Sequence, residues 1–368
     1  MREGWTYKKL NEVCDKGSSN IVINKLEDNN GDYPLYGASG LVKNVDFYHQ
    51  DKPYIGIVKD GAGVGRVNTY PAYSSLVGTM QYIFAKEDCL LDYIKYFLVK
   101  LDLSHCVSGA TIPHIYFKDY GKERIPVPSL SEQQSIVAEL DKINELINLK
   151  KAQLSDLDSL AQSIFYDMFG DPIENEKGWE VKKLGDECVD MKYGTSRPAS
   201  ENGRYKYLRM GNITSDGHLD LLDLKYIDIP DEEVEKCIVR HGDILFNRTN
   251  SYELIGKTCM FDLLEPMIIA GYIIRVRLSN NLHPRYVSIM FNLPSFKKLL
   301  RSKAKGAVNQ ANINSKELAS IRIPLPPLSL QQEFAKRIEL IELQKAQISS
   351  TIKDLETLLA SRMQYWFD

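Results

Sequence analysis

Little in this chain spells chemistry directly. Its six cysteines, Cys14, Cys89, Cys106, Cys188, Cys237 and Cys259, include no CxxC and no pair closer than 17 residues, so neither a zinc knuckle nor a redox pair is written locally. Reduced, mostly buried thiols are the expectation. His49, His105, His114, His218, His241 and His283 are scattered without metal-ligand spacing, and no Ser/His/Asp or paired-carboxylate constellation stands out. The longest apolar stretches, such as 267–274, fall far short of the ~20 residues of a membrane span, and residues 1–4 open no signal peptide. These absences point to a cytoplasmic, soluble protein that uses no membrane. Disorder and low complexity are excluded by 43% hydrophobic and 26% charged residues, with only 23 Gly and 15 Pro. A net positive balance is also missing: the net charge of −3 disfavours, on its face, a polyanionic partner. What is present is length, since 368 residues is about twice one ordinary domain.

Two nucleotide-binding look-alikes fail on inspection. Gly256-Lys257-Thr258 resembles the end of a phosphate-binding loop, but Ser251 stands where its first glycine belongs. Gly61-Ala62-Gly63 begins a dinucleotide fingerprint, but Arg66 replaces its third glycine. An enzyme built on Lys257 therefore ranks behind a binding protein.

The chain contains an internal repeat. Gly4, Trp5, Lys8, Lys9, Leu10 and Cys14 recur 174 residues later as Gly178, Trp179, Lys182, Lys183, Leu184 and Cys188. A second block, including Ile115, Lys118, Arg124, Ile125, Pro126, Pro128 and Gln133, recurs at an offset of 198 as Ile313, Lys316, Arg322, Ile323, Pro324, Pro326 and Gln331. The 24-residue difference places extra length inside the globular part of the second copy. The prolines fit only edge strands or extended segments, and Ser131…Gln134 and Ser329…Gln332 read as capping boxes that open helices.

Each of those helices is long and free of internal Gly and Pro. Alternating steps of four and three give a seam of Ile136, Leu140, Ile143, Ile147, Lys150, Leu154, Leu157, Ala161, Ile164 and Met168. In the second copy it reads Phe334, Ile338, Ile341, Lys345, Ile348, Ile352, Leu355, Leu359, Arg362 and Trp366. An apolar 3-4 seam sustained for more than four heptads argues for a coiled coil. Thirty-three such residues span about 50 Å, and the second helix can bury its seam by running back along the first. The expected architecture is α+β: two similar mixed α/β recognition domains separated by two long helices paired as an antiparallel coiled coil, with pseudo-two-fold symmetry. The divisions are 1–128, 129–170, 171–326 and 327–368 for first domain, first helix, second domain and second helix.

Charge is unevenly divided. The two helices carry −5, which leaves +2 on the globular parts. Lys297, Lys298, Arg301, Lys303 and Lys305 form an acid-free run, followed by Asn309 and Gln310, so phosphate contacts lie beside amides suited to adenine edges. After the strand Ile244 to Phe246 comes Asn247-Arg248-Thr249-Asn250-Ser251, more hydrogen-bonding side chains than a turn needs. Arg248 suits guanine and Asn247 or Asn250 adenine. The first-domain counterpart is the glycine-rich 59–66 segment with Lys59 and Arg66, less exact in its match. Tyrosine is frequent, at 21 residues, and Tyr33, Tyr36, Tyr48, Tyr193, Tyr205 and Tyr207 lie near Gly, Ser, Lys or Arg, as on stacking surfaces for nucleic acid.

In this order, these elements resemble the DNA-specificity subunit of type I restriction-modification systems. The residues that carry the resemblance are 33–40 (Tyr-Pro-Leu-Tyr-Gly-Ala-Ser-Gly), 109–115 (Gly-Ala-Thr-Ile-Pro-His-Ile), 125–134 from Ile125-Pro126 to Gln134, and 242–249 (Gly-Asp-Ile-Leu-Phe-Asn-Arg-Thr). The resemblance implies that each recognition domain reads one half of a bipartite, asymmetric site in double-stranded DNA, and that the coiled coil sets the unread spacer. It implies docking of two methylation subunits, with restriction subunits joining for cleavage. S-adenosylmethionine, ATP and Mg would belong to those partners; no cofactor and no catalysis are expected of this chain. Thr111 and His114 in the first 109–115 segment are added to the expected DNA contacts, although the second copy, 306–313, is a looser version. The competing reading is a coiled-coil adaptor for proteins alone.

Overall fold

The proline-bearing segments are strands, and each closes its own copy of the repeat. In the computed structural model, which describes residues 4–109, 111, 113–307 and 310–368, Thr6–Lys9 pairs antiparallel with Arg124–Val127, and Glu180–Lys183 with Arg322–Leu325. The register is the same in both: Thr6 faces Val127 and Glu180 faces Leu325, positions offset by 174 and 198. Pro126 and Pro324 fit because each ladder has only two strands. The local bonds repeat as well. The Cys14 thiol donates to the Leu10 carbonyl at 3.1 Å and the Cys188 thiol to the Leu184 carbonyl at 2.9 Å.

The chain forms two compact units, residues 1–152 with 348–368, and residues 153–347. In the first, an antiparallel sheet runs in the order Cys14–Ser18, Met80–Ala85, Tyr54–Val58, Val67–Tyr70. Helix Leu91–Leu101 packs Tyr93, Ile94 and Phe97 into one core with Ile55, Ile57 and Ile83 of that sheet. A smaller sheet joins Gly40–Val45, Tyr33–Gly37 and Ser75–Leu76. The second unit follows the same plan. Its first sheet orders Cys188–Tyr193, Ile273–Leu278, Ile244–Asn247 and Thr258–Met260, with helices Pro284–Asn292 and Pro294–Lys303 alongside. The second joins Lys225–Ile227, Tyr205–Leu208, Met267–Ile269 and Ile238–Val239.

Part of the extra length can be located. In the first unit Gly37 pairs with Gly40 across the turn Ala38-Ser39. In the second, the equivalent strands Tyr205–Leu208 and Lys225–Ile227 are joined by the longer excursion 209–224.

The long helices are Leu130–Phe169 and Leu328–Phe367, each 40 residues and offset by 198 at both ends. Each contributes one half to each unit, and within each unit the two run antiparallel. Glu139 pairs with Arg362 and Lys151 with Glu356 in the first, and Asp158 pairs with Lys345 in the second. Ile136, Leu140, Ile143, Ile147, Leu157, Ile338, Ile341, Ile348 and Ile352 are buried, while Leu154, Leu355 and Leu359 are half-buried.

Two sequence expectations need correction here. Near the helix ends the buried row moves by one residue: Phe165 and Phe169 are buried where Ile164 and Met168 are only half-buried, and Phe367 is buried beside half-buried Trp366. There each helix packs on a globular helix as well as on its partner. Phe169 lies 4.8 Å from the Tyr286 ring and Phe367 lies 5.1 Å from the Tyr93 ring. The capping box is also two residues earlier than expected. The Ser129 amide donates to Glu132 Oε2 at 3.1 Å and the Glu132 amide donates to Ser129 Oγ at 3.3 Å. In the second copy Pro327 holds that position, and its carbonyl accepts from the amides of Leu330 and Gln331.

Candidate nucleic-acid interface

In each domain the loop that leaves the central strand is bonded to the segment preceding the closing strand. In the first, the Gly61 amide donates to the Pro113 carbonyl and the Ile115 amide to the Lys59 carbonyl, both at 3.0 Å. Asp60 and His114 bridge through backbone, and the His114 imidazole meets the Asp60 carboxylate. Lys59 Nζ lies 3.9 Å from the same carboxylate, so Lys59 and His114 share one acid. Thr111 is exposed on this segment, and Arg66 is exposed with its guanidinium toward the Ala38 carbonyl at 3.4 Å.

The second domain repeats this arrangement. The Ile313 amide donates to the Arg248 carbonyl at 2.9 Å, as Ile115 does to Lys59. Thr249 and Asn250 pair with Asn312 and Ala311, and the Thr249 hydroxyl donates to Asn312 Oδ1 at 3.0 Å. Lys59 and Arg248 thus occupy equivalent places just past the central strands Tyr54–Val58 and Ile244–Asn247. Asn250 Oδ1 accepts from the Ser251 amide at 2.9 Å, which stiffens the turn. The Arg248 guanidinium lies 4.9 Å from the Tyr193 ring centre, a cation–π contact that fixes its direction.

Several expected contacts are placed otherwise. Asn247 is fully buried, with its Nδ2 near the Met210 carbonyl at 3.4 Å, because it ends a strand buried at every position. It offers no base-edge contact. Lys297 is turned inward: its Nζ donates to the Gly256 carbonyl at 2.9 Å, and burial lowers its pKa to about 8. Arg301 donates to the Glu253 carbonyl at 3.2 Å. Both brace the turn that ends at Gly256, whose φ of +74° and 2.7 Å clearance from Leu300 to an added Cβ leave room only for glycine. Lys298 and Lys303 are exposed, and Lys305 is exposed with a 2.6 Å ion pair to Glu317. The strand Lys305–Ala307 pairs with Gln310–Asn312 through backbone; Asn309 lies outside the described residues.

Two further features bear on the surface. Exposed Tyr73 extends a tyrosine chain on the first domain, with Tyr33 to Tyr48 at 4.8 Å and Tyr48 to Tyr73 at 5.2 Å between ring centres. Tyr36 instead packs against Tyr70. The second feature is the 209–224 excursion, which carries Arg209 beside Asp223 at 2.7 Å and His218 between Asp216 and Glu342. Its signal in the sequence was the unequal spacing of the two copies.

Lys257 follows Gly256 into a strand and not into a helix N-terminus, so the phosphate-loop look-alike lacks its supporting geometry; burial lowers the Lys257 pKa. Among the described residues, no cluster of three or more His, Cys, Asp or Glu is placed to hold a metal ion, and no helix is long and apolar enough to cross a membrane.

The family model described as the type I restriction modification DNA specificity domain matches residues 2–158 and 176–356, once on each copy of the repeat. The chain belongs to the type I restriction-modification DNA specificity family. Among curated members of this specificity family, the EcoKI specificity subunit of Escherichia coli is 26% identical over 263 residues, covering 67% of this chain and 56% of that protein. The putative MjaX specificity subunit of Methanocaldococcus jannaschii is 33% identical over 167 residues, 44% of this chain and 39% of that one. The chain therefore spans about half the length of the curated relatives it matches. The crystal structure of the type I S subunit from M. genitalium aligns over 99% of this chain and 96% of that one, with a TM-score of 0.56 at 15% identity, a likeness of fold.

Proposed function

We propose that this chain is the sequence-reading subunit of a type I restriction-modification complex. It acts without catalysis of its own: each recognition domain reads one half of a bipartite, asymmetric duplex site, and the paired helices set the spacer and dock two methylation subunits. Restriction subunits join that complex, S-adenosylmethionine, ATP and Mg are used by the partners, and the assembly works in the cytoplasm. The observation that carries this reading is the equivalent placement of Lys59 and Arg248, each at the end of its domain's central strand and each tied by its carbonyl to the amide of the repeated isoleucine. Two readers built on one plan, with different side chains at the same place, suit a site whose halves differ in sequence.

The contacts proposed are Lys59, Arg66, Thr111 and His114 in the first domain, and Arg248, Thr249, Asn250, Lys303 and Lys305 in the second, with Asn309 and Gln310 alongside. Lys303 and Lys305 supply phosphate contact and Arg248 supplies base contact. The test is competition binding by the assembled complex with duplexes altered in one half-site at a time. Arg248→Ala should change preference in the second half-site only. Equal weakening for every sequence would refute the base-reading role.

A further inference from the structure

The second domain contains a cleft of about 620 Å3 whose wall includes Arg197, Arg209, Met210, Arg248 and Tyr272. Arg197, Arg209 and Arg248 all line it, and each guanidinium is held by a neighbour. Arg197 Nη2 donates to Glu233 at 2.7 Å, Arg209 Nη2 to Asp223 at 2.7 Å, and Arg248 lies over Tyr193. Arg209 and Arg248 each also keep a buried Nε–H without an acceptor among the described residues, so it is their outer Nη groups that can face a ligand in the cleft.

The balance of charge selects the ligand. Two of the three cations are neutralised by Glu233 and Asp223, which makes a poor trap for a bare phosphate. Fixed planar forks suit two acceptors set side by side on one edge of a base better than a single spherical anion. Guanine presents such an edge, O6 and N7 together, in the major groove.

The cleft also owes its shape to the repeat's unequal lengths. Arg209, Met210 and Asp223 all lie on the excursion 209–224, where the first domain has only the turn Ala38-Ser39. We infer that this cleft reads a guanine edge in the second half-site through Arg209 together with Arg248, a contact for which the first domain has no counterpart at that turn. The inference rests on the reading of the chain as a DNA-specificity subunit.

Selection of duplexes from a random-sequence library tests it, using the full chain assembled with its methylation subunits. Wild type should enrich two half-sites, the second containing guanine. Arg209→Ala should reduce the preference for guanine at one position of that half-site about tenfold or more and leave the first half-site as it was. Arg209→Lys, which keeps the charge without the fork, should lose the same preference and decides the matter if the alanine variant does not fold. An unchanged second half-site in the folded variants, or a second half-site lacking guanine in wild type, overturns the cleft assignment; so does a loss spread evenly over both half-sites. Failure of wild type to enrich any sequence would instead overturn the DNA-reading function itself.

Discussion

Gln133 is fully buried at the start of the first long helix and accepts a hydrogen bond from the Leu90 amide at 2.9 Å. Its Nε2 donates to the carbonyls of Asp88 and Pro128 at 2.9 and 3.1 Å. Gln331, 198 residues on and equally buried, accepts from the His283 amide at 2.8 Å and donates to the carbonyls of Asn281 and Pro326. One amide side chain thus joins helix, closing strand and globular loop in each domain.

Gln331→Ala would leave three backbone groups without their partner in a partly buried junction. A loss of about 2–3 kcal/mol is expected on the cost of unsatisfied buried groups, and Gln133→Ala should match it. Urea denaturation of each variant measures this; a change within about 0.5 kcal/mol of wild type would mean that water replaces the clamp.

Lys297 and Lys303 lie on one helix and should behave oppositely. Lys303 is exposed, so Lys303→Ala should weaken binding to all sequences and lower the slope of log affinity against log salt by about one. Lys297 is committed to the Gly256 carbonyl, so Lys297→Ala should leave the salt slope unchanged while loosening the 251–256 turn and reducing thermal stability. A salt slope that falls equally in both would show that Lys297 turns outward on DNA.

This contrast marks what the sequence could and could not display. Repeats, strand prolines and the seam are patterns of many residues, and each survives small local shifts; given the register Thr6 to Val127 in the first copy, the two offsets carry it onto Glu180 and Leu325 in the second. Single-residue exposure does not survive them. Asn247 and Arg248 are adjacent, yet the strand Ile244–Asn247, buried at every position, hides the first, while the second lies just past its end and lines the cleft. Likewise Lys297 turns inward because a carbonyl 41 residues away meets it, a contact no local charge pattern reveals. The shift from Ile164 to Phe165 arises from Tyr286, more remote still in sequence.

Lys59 and Arg248 occupy equivalent places in separate domains, so their effects on recognition should be separable. Lys59→Ala should alter preference in the first half-site and leave the second as in wild type. Competition binding with half-site substitutions checks this. A change in both halves would mean that one domain's loop influences the other's reading, against the independence expected of two separately closed units.

His218 on the 209–224 excursion ties the second domain to the long helices. Its Nδ1 lies 3.2 Å from Asp216 and its Nε2 3.4 Å from Glu342, while Lys345 stands 3.4 Å away and is itself paired with Asp158 at 2.7 Å. Arg285 lines the same pocket. Hydrogen bonds to Asp216 and then Glu342 raise the imidazole pKa to about 9, against the opposing effects of burial and Lys345. The unfolded value is about 6.5, so the imidazolium's contribution to stability is complete below that pH and is lost as pH climbs through 9. Lys297 pulls the other way: its folded pKa of about 8 lies below the unfolded value, so its contribution improves as pH rises over the range above 8. The decisive quantity is therefore the difference between wild type and His218→Gln, which should be largest near pH 6 and shrink toward pH 10 in thermal melts of the full chain. Parallel melting curves for the two proteins across that range would mean that His218 is not held as an imidazolium between the domain and the helix pair.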